Sequence, residues 1–106
     1  MSKSISLKTL KQWRQPPSAC TVLDVRRQAD FEADDAKITG AIWKNPETVN
    51  EWADTLKGKT VALYCVKGGS VSQSVADALA KSGVDAVYLD GGIKAWKDAG
   101  GDVEPK

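Results

Sequence analysis

Apolar positions along the chain fall into short runs, separated by longer stretches with helical spacing. Thr21-Val22-Leu23-Asp24-Val25 is apolar on both alternating faces, which predicts an interior strand of a parallel sheet. Thr60-Val61-Ala62-Leu63-Tyr64-Cys65 is the clearest strand of all, and Ala86 to Leu89 is a third. Gly40 to Trp43 predicts a shorter strand, and Ile5 starts an edge strand. Between them lie helices. Leu7, Leu10 and Trp13 share one face of a helix over Leu7 to Arg14, capped by Ser6 and stopped by Pro16-Pro17. Gln28 to Ala36 reads as one or two helical turns. Asn45-Pro46-Glu47 combines an N-cap, a first-position proline and an acid in the first turn. It opens a helix that runs to Leu56 and ends at Gly58. Ser70 to Lys81 predicts a helix with Val71, Val75, Ala78 and Leu79 inward, closed by Gly83. Asp90-Gly91-Gly92 forms a turn, and Ile93 to Ala99 a last helix. Strands alternating with helices through short connections predict an α/β fold. Its three layers are a central, mostly parallel sheet of about five strands and helices on both faces.

Composition narrows the chemistry. The 106 residues suit a single domain over 1–106, and no repeat, linker or low-complexity tract divides them. Lys and Arg number 15 against 14 Asp and Glu, so the formal charge is only +1. No nucleic-acid partner is expected from that balance. The longest apolar run, Thr60 to Val66, is far short of the roughly 20 residues of a membrane span. The polar start Met1 to Ser6 does not resemble a signal peptide. A cytoplasmic location with reduced thiols is the expectation, with no membrane partner. The chain has no His. A Ser-His-Asp triad, a His general base and a His-ligated metal are therefore excluded.

Two thiols remain, and their settings differ. Cys65 ends the best strand and is followed by Val66-Lys67-Gly68-Gly69-Ser70 and a helix. In open α/β sheets, ligands bind beyond the carboxyl ends of the strands. Gly68 and Gly69 allow a sharp turn that points backbone N–H groups inward as an anion nest. The helix beginning near Ser70 adds its positive end, and Lys67 a full charge. All three favour a thiolate nucleophile at Cys65 and a small dianion above it. A lone Cys in a strand is ordinarily packing; the glycine loop and helix start set this one apart.

The loop Cys65-Val66-Lys67-Gly68-Gly69-Ser70-Val71-Ser72 resembles the active-site loop of the rhodanese-like sulfurtransferases. Three further segments fit that family in order. Asp24-Val25-Arg26 resembles its early Asp-x-Arg strand end. Ile38-Thr39-Gly40-Ala41-Ile42 is similar to its Ile, Pro, Gly, Ala and Ile motif. Leu89-Asp90-Gly91-Gly92-Ile93-Lys94-Ala95-Trp96 resembles its C-terminal Gly-Gly and Trp signature. The resemblance covers residues 16–104. It departs at Ala36-Lys37, where the family has Gly-His, at Thr39, where it has Pro, and in a longer segment from Asp30 to Ile38. The resemblance implies a persulfide carried on Cys65, cradled by Val66, Lys67, Gly68, Gly69, Ser70 and Val71. Thiosulfate or another persulfide donor would supply the sulfur, and cyanide, a thiol or a protein acceptor would remove it. No metal or organic cofactor is implied. Two other readings stand beside it: a non-enzymatic interaction or regulatory module, and a dedicated sulfur carrier for one protein partner.

The remaining candidates are weighed individually. A Cys-dependent phosphatase needs an Arg six residues after the Cys to grip the phosphate. Val71 stands there, and no Arg follows Arg27. Arg26 and Asp24 share a strand end and could support the site. For Arg26 the plainer role is an ion pair with Asp30 or Glu32 that pins the next segment. Ser70 and Ser72 offer hydroxyls, though Ser at a helix start is commonly a cap. Trp13, Trp52 and Trp96 read as core, and Trp43 fits either the core or the rim of the site. Lys57-Gly58-Lys59-Thr60 mimics part of a phosphate-binding loop, but a strand follows it where that motif needs a helix. Cys20 precedes its strand while Cys65 ends its own. The two should lie about 15 Å apart, beyond the about 7 Å a disulfide tolerates.

Overall fold

The computed structural model describes residues 3–13, 21–67 and 69–105. Its main sheet follows the apolar runs. Strands β1 (Lys3–Ile5), β2 (Thr21–Asp24), β4 (Ile42–Trp43), β5 (Thr60–Tyr64) and β6 (Asp85–Leu89) form one sheet in the order β1-β6-β5-β2-β4. Every pairing in it is parallel. The register sets Asp24 against Tyr64 and Leu63 against Tyr88. The carboxyl ends of β2 and β5 therefore come out side by side.

The two apolar faces of the strands feed two separate cores. On one side, Leu23, Val61, Leu63 and Ala86 pack with Trp52, Leu56, Val75, Ala76 and Leu79. These come from α3 (Val49–Trp52) with its following turn, and from α4 (Ser70–Lys81). On the other, Val22, Ala62, Tyr64, Val87 and Leu89 pack with Leu10, Ile93 and Trp96. These belong to α1 (Leu7–Trp13) and α5 (Gly92–Asp98). This is the expected three-layer α/β arrangement, with helices on both faces.

Local signals set the element ends. Thr9 N–H donates to Ser6 Oγ at 3.2 Å, the predicted cap of α1. Arg14 and Pro16-Pro17, taken as the end of that helix, lie outside the described residues. Gly83 has φ +84 and closes α4, its N–H on Ala80 O and that of Val84 on Leu79 O. Gly58, at φ +81, makes the helix-to-strand turn expected of the false phosphate loop.

Three expectations need correction, and one strand went unpredicted. The segment after Asn45 is no continuous helix: Pro46–Thr48 and Ala53–Leu56 are 3-10 turns flanking a short α3. Asn45 does cap it through Glu47 N–H, at 2.9 Å. But the Trp52 indole donates to Asn45 O, and the Thr55 hydroxyl to Trp52 O. Those side chains take carbonyls that a regular helix would use. Within α4 the buried face is Ser72, Val75, Ala76 and Leu79, while Val71 and Ala78 are only half-buried. The segment from Gln28 divides into α2 (Gln28–Ala33) and strand β3 (Ala36–Ile38). Finally, β7 (Val103–Pro105) follows the last helix and pairs antiparallel with β3 in a small second sheet. The buried Trp96 anchors this closure. Its indole donates to Asp102 O at 2.9 Å, and Gly101 N–H donates to Trp96 O at 2.8 Å.

Candidate active site

The first residue past β5 is Cys65, and it is buried. Its position is fixed from two directions. Val25 N–H donates to Tyr64 O at 2.9 Å, extending the β2–β5 ladder to the strand end. Ile93 and Lys94 N–H donate to Cys65 O and Val66 O, each at 3.0 Å. Both donors lie in the first turn of α5, whose amides have no partner inside the helix. The N–H and C=O of a trans peptide point opposite ways. Holding these two carbonyls toward α5 therefore turns the amides of Val66 and Lys67 away from it.

On the far side of the loop α4 begins. Its first bonded amide is Gln73, which donates to Gly69 O at 3.3 Å. The amides of Ser70, Val71 and Ser72 precede that bond and have no carbonyl within the helix. Ser70 is not the cap; Gly69 occupies the cap position, without a side-chain bond. Gly69 has φ −85°, and a side chain there would meet nothing within 4 Å. Gly69 thus does not need its glycine freedom in the sharp turn expected of Gly68 and Gly69, and Gly68 lies outside the described residues. The Ser72 hydroxyl is buried and has no partner among the described residues.

The resulting cleft measures about 330 Å³ and brings together Cys65, Val66, Lys67, Gly69, Ser70 and Val71 with Arg26, Arg27 and Asp30. Lys67 is exposed and makes no ion pair with a described residue.

Asp24 and Arg26 sit beneath this cleft as one buried unit. Arg26 Nε meets both oxygens of Asp24 at 3.0 Å, and Nη2 meets Oδ2 at 2.6 Å. Nη1 donates to Asp34 at 2.8 Å and Nη2 to Ala36 O at 3.0 Å. Burial alone would disfavour the guanidinium charge, but the carboxylates more than offset it and hold its pKa above the ordinary value. Arg26 does pin the following segment, as expected of an ion pair, but through Asp24 and Asp34; neither Asp30 nor Glu32 is its partner. Its fork is filled, so it has little left for a substrate. Asp24 also accepts from the Tyr64 hydroxyl at 2.9 Å, and Ile38 N–H donates to that same hydroxyl at 3.1 Å. Burial first, and the Asp24 charge second, push the Tyr64 pKa well above its usual value. Trp43 stacks on Phe31 with centroids 5.2 Å apart and donates its indole N–H to Arg26 O. It braces the end of β2 and does not line the cleft. Where the family motif has its His, Lys37 donates to Ala41 O at 2.7 Å, a turn-holding contact.

The residue that sequence reasoning missed is Arg27. It is exposed, lines the Cys65 cleft, and forms no ion pair with a described residue. The signal was two adjacent arginines at a strand end with Asp24 close enough to satisfy only the first. Cys20 lies outside the described residues. Among those described, no group of three His, Cys, Asp or Glu could hold a metal. No described helix is long and apolar enough to cross a membrane.

Comparison with known proteins places the chain in a family. The chain matches the model of the rhodanese-like domain over residues 6–99. It is 32% identical over 94 residues to the thiosulfate sulfurtransferase GlpE of Tolumonas auensis, covering 88% of this chain and 86% of that protein. It is 35% identical over 112 residues to the tRNA uridine(34) hydroxylase of Bordetella petrii, covering 92% of this chain but 43% of that protein. In three dimensions it resembles the rhodanese-related protein of Thermoplasma volcanium, with a TM-score of 0.81 at 28% identity over 98% of this chain and 99% of that one.

Proposed function

Because the chain belongs to the rhodanese-like family, we propose that it is a sulfurtransferase that carries a sulfane sulfur on Cys65. The observation behind this is the placement of Cys65. It lies in a small cleft at the carboxyl end of β5, beside the first amides of α4, which have no carbonyl within that helix, and two cations, Lys67 and Arg27, that form no ion pair with a described residue. Thiosulfate is the donor that fits such a cleft, as a small dianion with a transferable sulfur. The Cys65 thiolate attacks the outer sulfur, the S–S bond of thiosulfate breaks, and sulfite leaves with the bonding pair. Cyanide or a thiolate then attacks the terminal sulfur and releases the Cys65 thiolate. This is double displacement through a covalent intermediate. Amide donors that converge on the terminal sulfur stabilise its charge without a general base.

Mass spectrometry after thiosulfate treatment tests it directly. One added sulfur on Cys65, none on Cys20, and loss of thiocyanate production in Cys65→Ser are the expected results. An adduct on Cys20 alone, or full activity in Cys65→Ser, overturns the assignment. The tRNA hydroxylase relative favours a second reading, since there a similar stretch makes up under half of a protein with another named activity. A module of that kind would take up no sulfur.

A further inference from the structure

A second cleft of about 350 Å³ adjoins the first and shares Arg27, Ser70 and Val71 with it. Its other walls are Pro46, Glu47, Ser74 and Val75. The volume lies within the range of small-molecule sites. Its two charges are opposite in sign. Neither Arg27 nor Glu47 forms an ion pair with a described residue, nor do they pair with each other. Opposite charges that share a cleft without neutralising one another suit a ligand bearing the same two charges in complementary order. Ser70 and Ser74 are exposed and add hydroxyls, and Pro46, Val71 and Val75 add apolar wall. A dianionic donor gains nothing from Glu47, and cyanide needs no pocket of this size.

We propose that this second cleft binds the sulfur acceptor, and that the acceptor is a zwitterionic thiol, an α-amino-acid or short-peptide thiol. Its carboxylate meets Arg27 and its ammonium meets Glu47. Its thiolate reaches across the first turn of α4 to the sulfur on Cys65; the proposal rests on that reading of Cys65. In the transfer the acceptor thiolate forms an S–S bond to the terminal sulfur of the Cys65 hydropersulfide. The old S–S bond breaks, its electron pair returns to Cys65 as thiolate, and the acceptor leaves as a hydropersulfide. No oxidant or reductant is consumed.

The test uses sulfur-loaded protein in single turnover with four thiols. L-cysteine carries both charges, cysteamine only the ammonium, 3-mercaptopropionate only the carboxylate, and 2-mercaptoethanol neither. Each thiol is compared with itself across variants, so intrinsic reactivity cancels. Arg27→Gln should slow transfer to L-cysteine and 3-mercaptopropionate about tenfold more than transfer to cysteamine and 2-mercaptoethanol, the scale of one charge-assisted hydrogen bond. Glu47→Gln should slow L-cysteine and cysteamine and spare 3-mercaptopropionate. Equal slowing of all four thiols, or none, overturns the site. A second arm needs no persulfide. S-methylcysteine carries both charges and no thiol, and should shift the backbone amide resonances of Glu47 and Ser74 in unloaded protein. If those resonances do not move, the site is wrong whatever Cys65 does. If they move while thiosulfate loads no sulfur, the site stands and the reading of Cys65 falls.

Discussion

Replacing Tyr64 by Phe tests whether the buried network under Cys65 holds the strand end. The change removes one oxygen at a position with no solvent exposure. That oxygen donates to the Asp24 carboxylate and accepts from Ile38 N–H. A hydrogen bond to a charged group contributes about 1.5–3 kcal/mol, and a buried amide left unpaired costs about 1–3 kcal/mol. Asp24 keeps its bonds from Arg26, so the lower part of the combined range applies, about 3 kcal/mol. For a domain of this size that lowers Tm by about 10–20 °C. The alkaline limb supplies an independent check. Tyr64 titrates above its ordinary value of 10.0 in the folded state because burial, then the Asp24 charge, disfavour the phenolate. A raised folded pKa gives stability that is complete below the unfolded value and is lost as pH climbs above it. By about pH 11 the wild type should have lost about 1.4 kcal/mol through this group alone, and Tyr64→Phe nothing. The stability gap between the two proteins therefore narrows by that amount. Urea unfolding followed by Trp fluorescence, at neutral pH and at about pH 11, measures both quantities. A penalty under about 1 kcal/mol at neutral pH, or a gap that stays constant with pH, would refute the network argument.

Other outcomes follow from the same structure. Lys67→Ala should raise the KM for thiosulfate, and the difference should shrink in high salt, where screening already weakens the attraction; steady-state kinetics at two ionic strengths reads this. Asp34 bonds Lys97 at 2.6 Å and Arg26 at 2.8 Å. Burial alone would raise its pKa, but the Lys97 bond, the Ala36 amide and Arg26 hold it below the ordinary 3.8. Its contribution is present above that value and disappears as pH falls through the folded pKa. Asp34→Asn should therefore be less stable than wild type at neutral pH, with the gap closing in acid titrations. Gly101→Ala would drive a Cβ into the Trp96 indole at Cε2, and should cost about 1–3 kcal/mol in urea melts while the Trp stays buried.

The sequence by itself determined the layers and pointed to a candidate chemistry. Strands such as Val61 to Tyr64 are apolar at every position, and only a sheet covered on both faces buries that pattern. Cys65 after such a strand, with a loop and a helix start behind it, marked the candidate site, because parallel strands all open their carboxyl ends to one edge. Absences were equally legible: the chain has no His, and Val71 stands where a Cys-dependent phosphatase needs Arg, which argued against those reaction classes. Tertiary structure decided what no local pattern carries. Strands β3 and β7 are three residues each, too short for periodicity, and exist because each supplies the other's hydrogen bonds across the chain. The helix expected from Pro46 to Leu56 broke because Trp52 and Thr55 reached for its carbonyls. Of two adjacent arginines, Arg26 was drawn inward by Asp24 and Asp34, and Arg27 was left exposed on the cleft with no ion pair to a described residue. Sequence spacing placed both at the strand end, but only folding brought Asp34, Ala36 and Tyr64 around one of them. A buried guanidinium needs every donor satisfied, and those partners come from separate parts of the chain.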